Sequence, residues 1–381
     1  MLGLYVHIPF CVRRCPYCDF AIHIGARAEF ITQYLTSLQS ELKQTLAAQS
    51  EHAPQQAVTS IFFGGGTPTA LSATQLADLL QIIRDSIPVA ADAEISIEAN
   101  PDGLDEAKLA ALRAAGWNRL SMGAQSFDDD ALKRIGRTHN GQQIEAAFAA
   151  ARRAKFDNIS LDLIFALPGQ SRSSWHTTLE RAIALNPEHL SCYSLTIEAG
   201  TLFARRVEQG RLLPIEDETQ AVLMQDAEAV LQAAGLHRYE VSNYARPGRE
   251  CLHNLNYWRG GDYLACGCGA HGHRNGHRWW NERSAPRYVA LMQESGSARV
   301  GEETLTSRQR LSEIVMLGLR LREGFSLEDA SRRLNIDARC ELNGELQDLT
   351  QRGLLLEREG TIRLAPEAIT VADAVASRLM L

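Results

Sequence analysis

The chain has 381 residues, 45% of them hydrophobic and 22% charged, and 39 Lys and Arg against 46 Asp and Glu give a net charge of −7. At roughly 150 residues per domain, this length predicts two or three domains with a large core. The composition excludes a disordered chain, and the acidic balance disfavours nucleic acid as a partner, because phosphate binding needs clustered cations. No apolar run reaches the roughly 18 to 20 residues of a membrane span, and the first residues lack a secretory signal, so a cytoplasmic protein is expected.

Short apolar strands alternate with longer helical patterns from residue 1 to about residue 200. The predicted strands are Leu4–Ile8, Val58–Phe63, Glu94–Ala99, Leu120–Gly123, Ile159–Phe165 and His189–Leu195. The predicted helices are Glu29–Gln49, Thr74–Ser86, Asp105–Ala115, Gln142–Ala154 and Ser174–Leu185. This alternation predicts an α/β fold with a parallel sheet, and six units without a dinucleotide-binding fingerprint predict a full or partial β/α barrel. Functional groups are then expected at the carboxyl ends of the strands.

The second half of the chain is predicted to hold two further parts. We place the barrel in residues 1–235, a barrel-associated segment rich in Arg, His, Asn, Gly and aromatic residues in 236–300, and a small C-terminal domain in 301–381. That domain has three predicted helices and a hairpin, the outline of a winged-helix-like fold: Arg308–Leu321, Ser326–Leu334, Cys340–Arg352, Leu354–Arg358 and Thr361–Leu364. Its third helix is acidic, which favours a structural lid or docking module over a DNA-reading one.

Three of the eight cysteines, Cys11, Cys15 and Cys18, fall within eight residues. In a cytoplasmic chain with sparse cysteine, such a group indicates metal binding or catalysis rather than disulfides. Three thiolates can ligate three irons of a [4Fe–4S] cluster, and the fourth iron is then open to chelate S-adenosylmethionine (SAM). An electron from the cluster cleaves the sulfonium and releases a 5′-deoxyadenosyl radical. The alternatives are a zinc knuckle without its fourth ligand and three buried thiols.

The cysteine spacing resembles that of the radical SAM superfamily, and four further segments resemble its coproporphyrinogen III dehydrogenase-like branch. These segments are Tyr5–Cys11, Phe63–Thr69, Gly123–Phe127 and Asp162–Gln170. The resemblance covers most of residues 1–300, and the C-terminal module also has a counterpart in the branch. It implies that eight residues line the SAM site, namely Tyr5, Gly65, Gly66, Thr67, Glu98, Gln125, Arg137 and Asp162. Taken alone, the glycines also fit a tight turn, and Glu98 fits either a ribose partner or a paired charge at the barrel rim.

Two subfamilies of this branch compete. Oxygen-independent coproporphyrinogen III dehydrogenases, which oxidatively decarboxylate two propionate side chains, carry another cysteine two residues after the third cluster cysteine and an N-terminal extension. Here that position is Phe20, and ten residues precede Cys11. The chain instead resembles the HemW family, understood as heme chaperones, whose pattern has Cys-Asp-Phe at the cluster and a later His-Asn-x-x-Tyr-Trp motif. Both patterns are present, at Cys18–Phe20 and at 253–258.

The later motif suits a porphyrin. A neutral imidazole is a standard axial ligand of heme iron, and aromatic rings offer flat apolar faces to the macrocycle. The residues of the predicted heme region are His253, Asn254, Tyr257 and Trp258, with Cys251 as an alternative thiolate ligand. Flanking guanidinium groups could pair with propionates, namely those of Arg246, Arg249 and Arg259. The alternative is that the histidine and asparagine hydrogen-bond a loop while the aromatic rings pack between domains.

A second group of Cys and His residues runs from Cys266 to His277. Such density can indicate metal binding. The family pattern has a Gly-x-Gly-x-Gly-Ala-His loop here with apolar residues at the variable positions, so Cys266 and Cys268 are interpreted as replacements of those residues.

The resemblance implies a heme chaperone that binds heme and transfers it to an acceptor protein, with a [4Fe–4S] cluster and exchangeable SAM. It implies two protein partners, the heme acceptor and an electron donor for the cluster. The acidic composition predicts no nucleic acid partner, and the short apolar runs predict no transmembrane segment. A protein without a transmembrane segment can still dock peripherally onto a membrane-bound acceptor. The alternatives are an active oxygen-independent coproporphyrinogen III dehydrogenase and a radical SAM enzyme acting on another tetrapyrrole. No catalytic residue is assigned.

Overall fold

Strands and helices alternate through the first half of the chain, in a computed structural model that describes residues 1–52 and 56–380. In chain order the elements are β1 (Leu2–Ile8), β2 (Phe10–Cys11), β3 (His23–Ile24), α1 (Ala28–His52), β4 (Val58–Gly65), α2 (Ala73–Ser86), β5 (Val89–Ala99), α3 (Glu106–Ala115), β6 (Arg119–Gln125), α4 (Asp129–Arg134), α5 (Gly141–Arg153), β7 (Ile159–Phe165), α6 (Arg172–Ala184) and β8 (His189–Ser194). The predicted strand–helix alternation is confirmed. Gly116 caps α3 in the left-handed conformation, with a φ of 114°, as predicted.

The middle of the chain adds shorter elements. They are α7 (Leu202–Glu208), α8 (Asp217–Ala233), β9 (His237–Arg238), β10 (Asn243–Ala245), α9 (Leu252–Trp258), β11 (Asp262–Cys266), β12 (His271–Arg274), β13 (His277–Asn281), α10 (Ala285–Ser295) and β14 (Arg299–Thr304). The sheet order is β14-β13-β12-β11-β1-β4-β5-β6-β7-β8-β10-β9, and the run from β11 to β8 is parallel. Because β14 and β9 are edges among the described strands, the fold is a partial barrel.

The two faces of the parallel strands differ in polarity. Leu2, Leu4, Val6 and Ile8 of β1 are buried in the large apolar core, which also includes Tyr34 of α1. Side chains alternate along a strand, so the intervening positions of β1 and its neighbours face the concave side. That side carries mostly polar or small residues, among them Gly3, Tyr5, His7, Ser60, Glu94, Glu98, Arg119, Asp162 and His189. The concave side is therefore where the structure gathers groups capable of chemistry.

The C-terminal residues build a second apolar core. Their elements are α11 (Ser307–Gly318), β15 (Phe325–Ser326), α12 (Leu327–Leu334), α13 (Ala338–Gln351), β16 (Leu355–Arg358), β17 (Thr361–Leu364) and α14 (Ala372–Arg378). Strand order β15-β17-β16 completes a small sheet, so the predicted winged-helix outline is confirmed. Over residues 1–52 and 56–380, no helix combines the length and the apolar character needed to cross a membrane.

Candidate functional site

The three clustered cysteines lie on the loop that follows β1. Cys11 ends β2, and Cys15 and Cys18 share a turn in which the Cys18 amide donates to the Cys15 carbonyl at 3.1 Å. All three side chains are half-buried. Burial raises the pKa of the Cys11 and Cys18 thiols, and neighbouring thiols add to this effect. Bound metal would offset that cost, since a coordinating thiol is deprotonated outright.

The donor set of this loop suits an iron–sulfur cluster, whose usual protein ligands are thiolates. A cubane takes each thiolate at a different corner, so three protein thiolates leave one corner open. Among the residues that the structure describes, no group of three or more His, Cys, Asp or Glu side chains is arranged to hold a metal ion.

Glycines let the end of β4 pack directly beneath this loop. Gly65 has a φ of 116°, and a Cβ there would lie 2.5 Å from the His7 ring. A Cβ on Gly66 would lie 2.6 Å from the backbone of Pro9, and its amide donates to the Ile8 carbonyl at 2.8 Å. Close packing under the cysteine loop is therefore a sufficient reason for glycine at both positions.

Two of the three thiols are tied to one polar network. The hydroxyl of Thr67 lies 3.6 Å from Cys11 Sγ, and Arg137 donates to Cys15 Sγ at 3.8 Å. Asn100 joins the two, because its Nδ2 donates to Thr67 at 3.1 Å and its Oδ1 accepts from Arg137 at 2.5 Å. Asn100 is not among the predicted site residues, although its position directly after β5 is one where functional groups are expected. The network orients the loop that presents the thiols.

The predicted SAM residues Glu98, Asp162 and Tyr5 share the concave side of the barrel. Glu98 accepts a hydrogen bond from the Gly65 amide at 3.0 Å, and burial, with a contribution from Asp162, raises the pKa of Glu98 to about 8. Asp162 lies in the middle of β7 rather than at its end. It accepts hydrogen bonds from the hydroxyls of Ser121 in β6, Ser160 in β7 and Ser191 in β8. Burial raises its pKa as well. The Tyr5 hydroxyl lies 3.0 Å from His7 Nδ1. Gln125 ends β6 with a φ of 65°.

Buried His189, at the start of β8, predicts how stability depends on pH. Its Nδ1 lies 2.8 Å from Ser160 Oγ and its Nε2 lies 2.9 Å from the Tyr239 hydroxyl. Burial, and secondarily Arg119, hold the pKa of His189 well below 6.5. Below about pH 6.5 the unfolded chain therefore takes up a proton that the folded protein does not, and the free energy of unfolding decreases as the pH is lowered. Relative to wild type, His189→Gln should flatten that fall by up to about 1.4 kcal/mol per pH unit. Urea unfolding of both proteins near neutral and mildly acidic pH measures the difference, and equal slopes would contradict it.

The predicted heme-region histidine is part of the barrel interior. His253 is 1% exposed, with Nδ1 2.9 Å from Ser60 Oγ and Nε2 2.8 Å from the Tyr257 hydroxyl. Phe62 stacks on its ring at 5.3 Å. Burial lowers the pKa of His253 to about 3, so the ring is neutral and both nitrogens are engaged. The partners of His253 are therefore a strand, β4, and its own helix, α9, rather than a loop.

The other groups predicted around heme point in different directions. Asn254 and Trp258 are half-buried, and the Arg320 guanidinium lies 6.0 Å from the Trp258 ring centroid. Cys251 is buried, with its Sγ 3.4 Å from Glu94. The three arginines each have another partner: Arg246 binds Asn186, Arg249 lies near Asp157, and Arg259 pairs with Glu323. Of the four residues of the motif, Tyr257 alone lines the cavity that lies between the barrel and α11.

The second Cys and His group is divided by the fold. Cys266 and Cys268 are fully buried in the large apolar core, where the Tyr34 hydroxyl donates to Cys268 Sγ at 3.7 Å. The histidines of the group lie on the β12–β13 hairpin. These placements agree with the interpretation of both cysteines as replacements of apolar residues.

Comparisons with known proteins agree with one another. A family model described as "Radical SAM superfamily" matches residues 5–182, and one described as "HemN C-terminal domain" matches residues 305–371. The chain is 36% identical to the heme chaperone HemW of Bacillus subtilis (strain 168), over 98% of each chain. It is 44% identical to the heme chaperone HemW of Escherichia coli (strain K12), over 71% of this chain and 70% of that one. The solved structure of the radical SAM enzyme coproporphyrinogen III oxidase (HemN) from Escherichia coli matches with a TM-score of 0.85 and 25% identity, over 100% of this chain and 90% of that one.

Proposed function

The chain belongs to the HemW family within the radical SAM superfamily, and on that basis we propose that it is a heme chaperone, which binds heme and transfers it to an acceptor protein. The similarity to a relative named a heme chaperone, extending over 98% of both chains, is the observation that carries the proposal. The acceptor and an electron donor for the cluster are its protein partners. The proposal places it in the cytoplasm, where peripheral contact with a membrane-bound acceptor is one route of delivery.

The cysteine loop has the role of holding the cluster in this proposal. Cys11, Cys15 and Cys18 ligate a [4Fe–4S] cluster, with Thr67 and Arg137 hydrogen-bonded to two of the sulfurs. Hydrogen bonds to the sulfurs set the potential of such a cluster. The cluster supplies one-electron chemistry and an open iron that binds SAM. Of the remaining predicted SAM residues, Tyr5, Glu98 and Asp162 lie on the adjoining concave side. Gly65, Gly66 and Gln125 lie where β4 and β6 end.

The competing function is oxidative decarboxylation of coproporphyrinogen III, which the likeness to the HemN structure favours. Phe20, 63% exposed, stands where a dehydrogenase carries a further cysteine. The test uses anaerobically purified, cluster-reconstituted protein, offered hemin in one vessel and coproporphyrinogen III with SAM and reductant in another. We expect a Soret band that survives gel filtration and no decarboxylated product. Production of protoporphyrinogen IX without retained heme would overturn the chaperone proposal.

A further inference from the structure

A cavity of about 500 Å³ lies between the barrel and the C-terminal core. One wall is aromatic, with Tyr5 of β1, Tyr257 of α9 and Tyr263 of β11. Helix α11 contributes Met316 and Leu317 to the lining, beside the charged side chains of Arg310 and Glu313. The volume falls within the roughly 300–1,000 Å³ of small-molecule and cofactor sites, and a lining rich in aromatic and aliphatic side chains suits a largely apolar molecule.

One histidine of this cavity differs from the others nearby. His271 begins β12 and lines the cavity, and its ring stacks on Trp280 at 6.0 Å. Across the described residues, neither ring nitrogen of His271 has a hydrogen-bond partner. His273, in the same strand, has both nitrogens occupied: Nδ1 lies 3.2 Å from the Gly261 carbonyl, and Nε2 accepts from the Gly276 amide at 3.2 Å. His271 is also exposed, so an imidazole nitrogen is open to a ligand.

One arginine of the cavity is likewise unpaired among the residues that the structure describes. Arg310 of α11 lines the cavity beside the turn at Gly276 and has no ion-pair partner there. By contrast, Arg278 pairs with Glu303 and Glu313. Arg333 donates to the carbonyls of Arg259 and Gly260. A free guanidinium at the edge of an apolar cavity is a fitting partner for a carboxylate.

We propose that this cavity binds the iron tetrapyrrole, with His271 as an axial ligand of the iron and Arg310 as the partner of one propionate. The inference rests on the proposed function and moves the axial ligand from His253, whose ring nitrogens are both engaged, to the β12 strand. It places heme between the barrel and the C-terminal module, whose mutual contacts include ion pairs such as Arg259–Glu323.

The first test compares binding of hemin and of metal-free protoporphyrin IX to four proteins: wild type, His271→Ala, His253→Gln and the control His277→Ala. His277 lies on the neighbouring strand, with Nδ1 3.1 Å from the Thr304 hydroxyl, and does not line the cavity. We expect His271→Ala to change the Soret and EPR spectra and to weaken hemin binding about tenfold or more, the equivalent of about 1.4 kcal/mol. Protoporphyrin IX has no iron to coordinate, so its affinity should not change. The other two variants should match wild type.

The second test addresses the propionate partner. Arg310→Ala should weaken hemin binding but leave binding of hemin dimethyl ester, which lacks the carboxylates, unchanged.

Several outcomes would overturn the inference and spare the proposed function. They are an unchanged hemin spectrum in His271→Ala, an equal loss of hemin and protoporphyrin IX, and loss of the hemin spectrum in a folded His253→Gln. Wild-type protein that binds no hemin would instead remove the proposed function itself.

Discussion

Serine at Cys11, Cys15 or Cys18, one substitution at a time, is expected to abolish stable cluster binding. A hydroxyl is a hard, protonated donor at neutral pH and does not replace a soft thiolate on iron. The proposed cluster has three protein ligands and one open corner, so the loss of one thiolate leaves two. The other cysteines that the structure describes lie elsewhere in the fold. Iron and acid-labile sulfide analysis after anaerobic reconstitution, together with EPR of the reduced protein, measures the loss. In wild type the EPR spectrum should respond to added SAM.

The matched control is Cys340→Ser, which removes an exposed thiol on α13. It should retain the full iron content and the SAM-responsive spectrum, because its thiol lies outside the barrel. Full iron content in Cys15→Ser, measured in protein of native circular dichroism, would contradict the three-cysteine assignment.

Local periodicity predicted the parallel part of the fold well. The strand predicted at Ile159–Phe165 has those bounds in the structure, because its apolar residues at alternate positions, Ile159, Leu161, Leu163 and Phe165, are buried. The β11–β14 segment escaped prediction, since its Gly, His and Arg residues follow neither a period of two nor one of 3.6. Its strands are defined by partners distant in the sequence, such as the pairing of Gly3 with Tyr263.

In the candidate site, too, the features set by local sequence could be predicted and those set by distant partners could not. Spacing alone pointed to the three thiols, because they lie on one loop. The surroundings of His253 could not be inferred this way, since they depend on strand register: Gly3 lies opposite Ser60, and Ser60 opposite Glu94. A side chain on Gly3 would contact the His253 ring at 3.2 Å, so the glycine makes room for α9 inside the barrel. Register across a sheet is a tertiary property that no local pattern encodes.

Glu94 supports the entry of α9 into the barrel. Its carboxylate accepts hydrogen bonds from the backbone amides of Leu252 at 3.0 Å and His253 at 3.2 Å, and from Cys251 Sγ at 3.4 Å. Arg119 Nε lies 4.0 Å from Glu94 Oε2. The Glu94 side chain is 6% exposed and the Arg119 side chain is 2% exposed. Both charges are therefore buried, and each depends on the other for compensation.

Glu94→Ala is expected to lower the free energy of unfolding by about 3–5 kcal/mol, because it leaves the Arg119 charge buried without its partner. Urea unfolding followed by circular dichroism measures the loss. The matched control is Glu106→Ala, which breaks an exposed ion pair with Arg153 and should cost less than about 1 kcal/mol. Adding Arg119→Met to Glu94→Ala should restore part of the stability, since the uncompensated charge is then gone. If the two single variants unfold alike, the buried pair does not stabilise the position of α9.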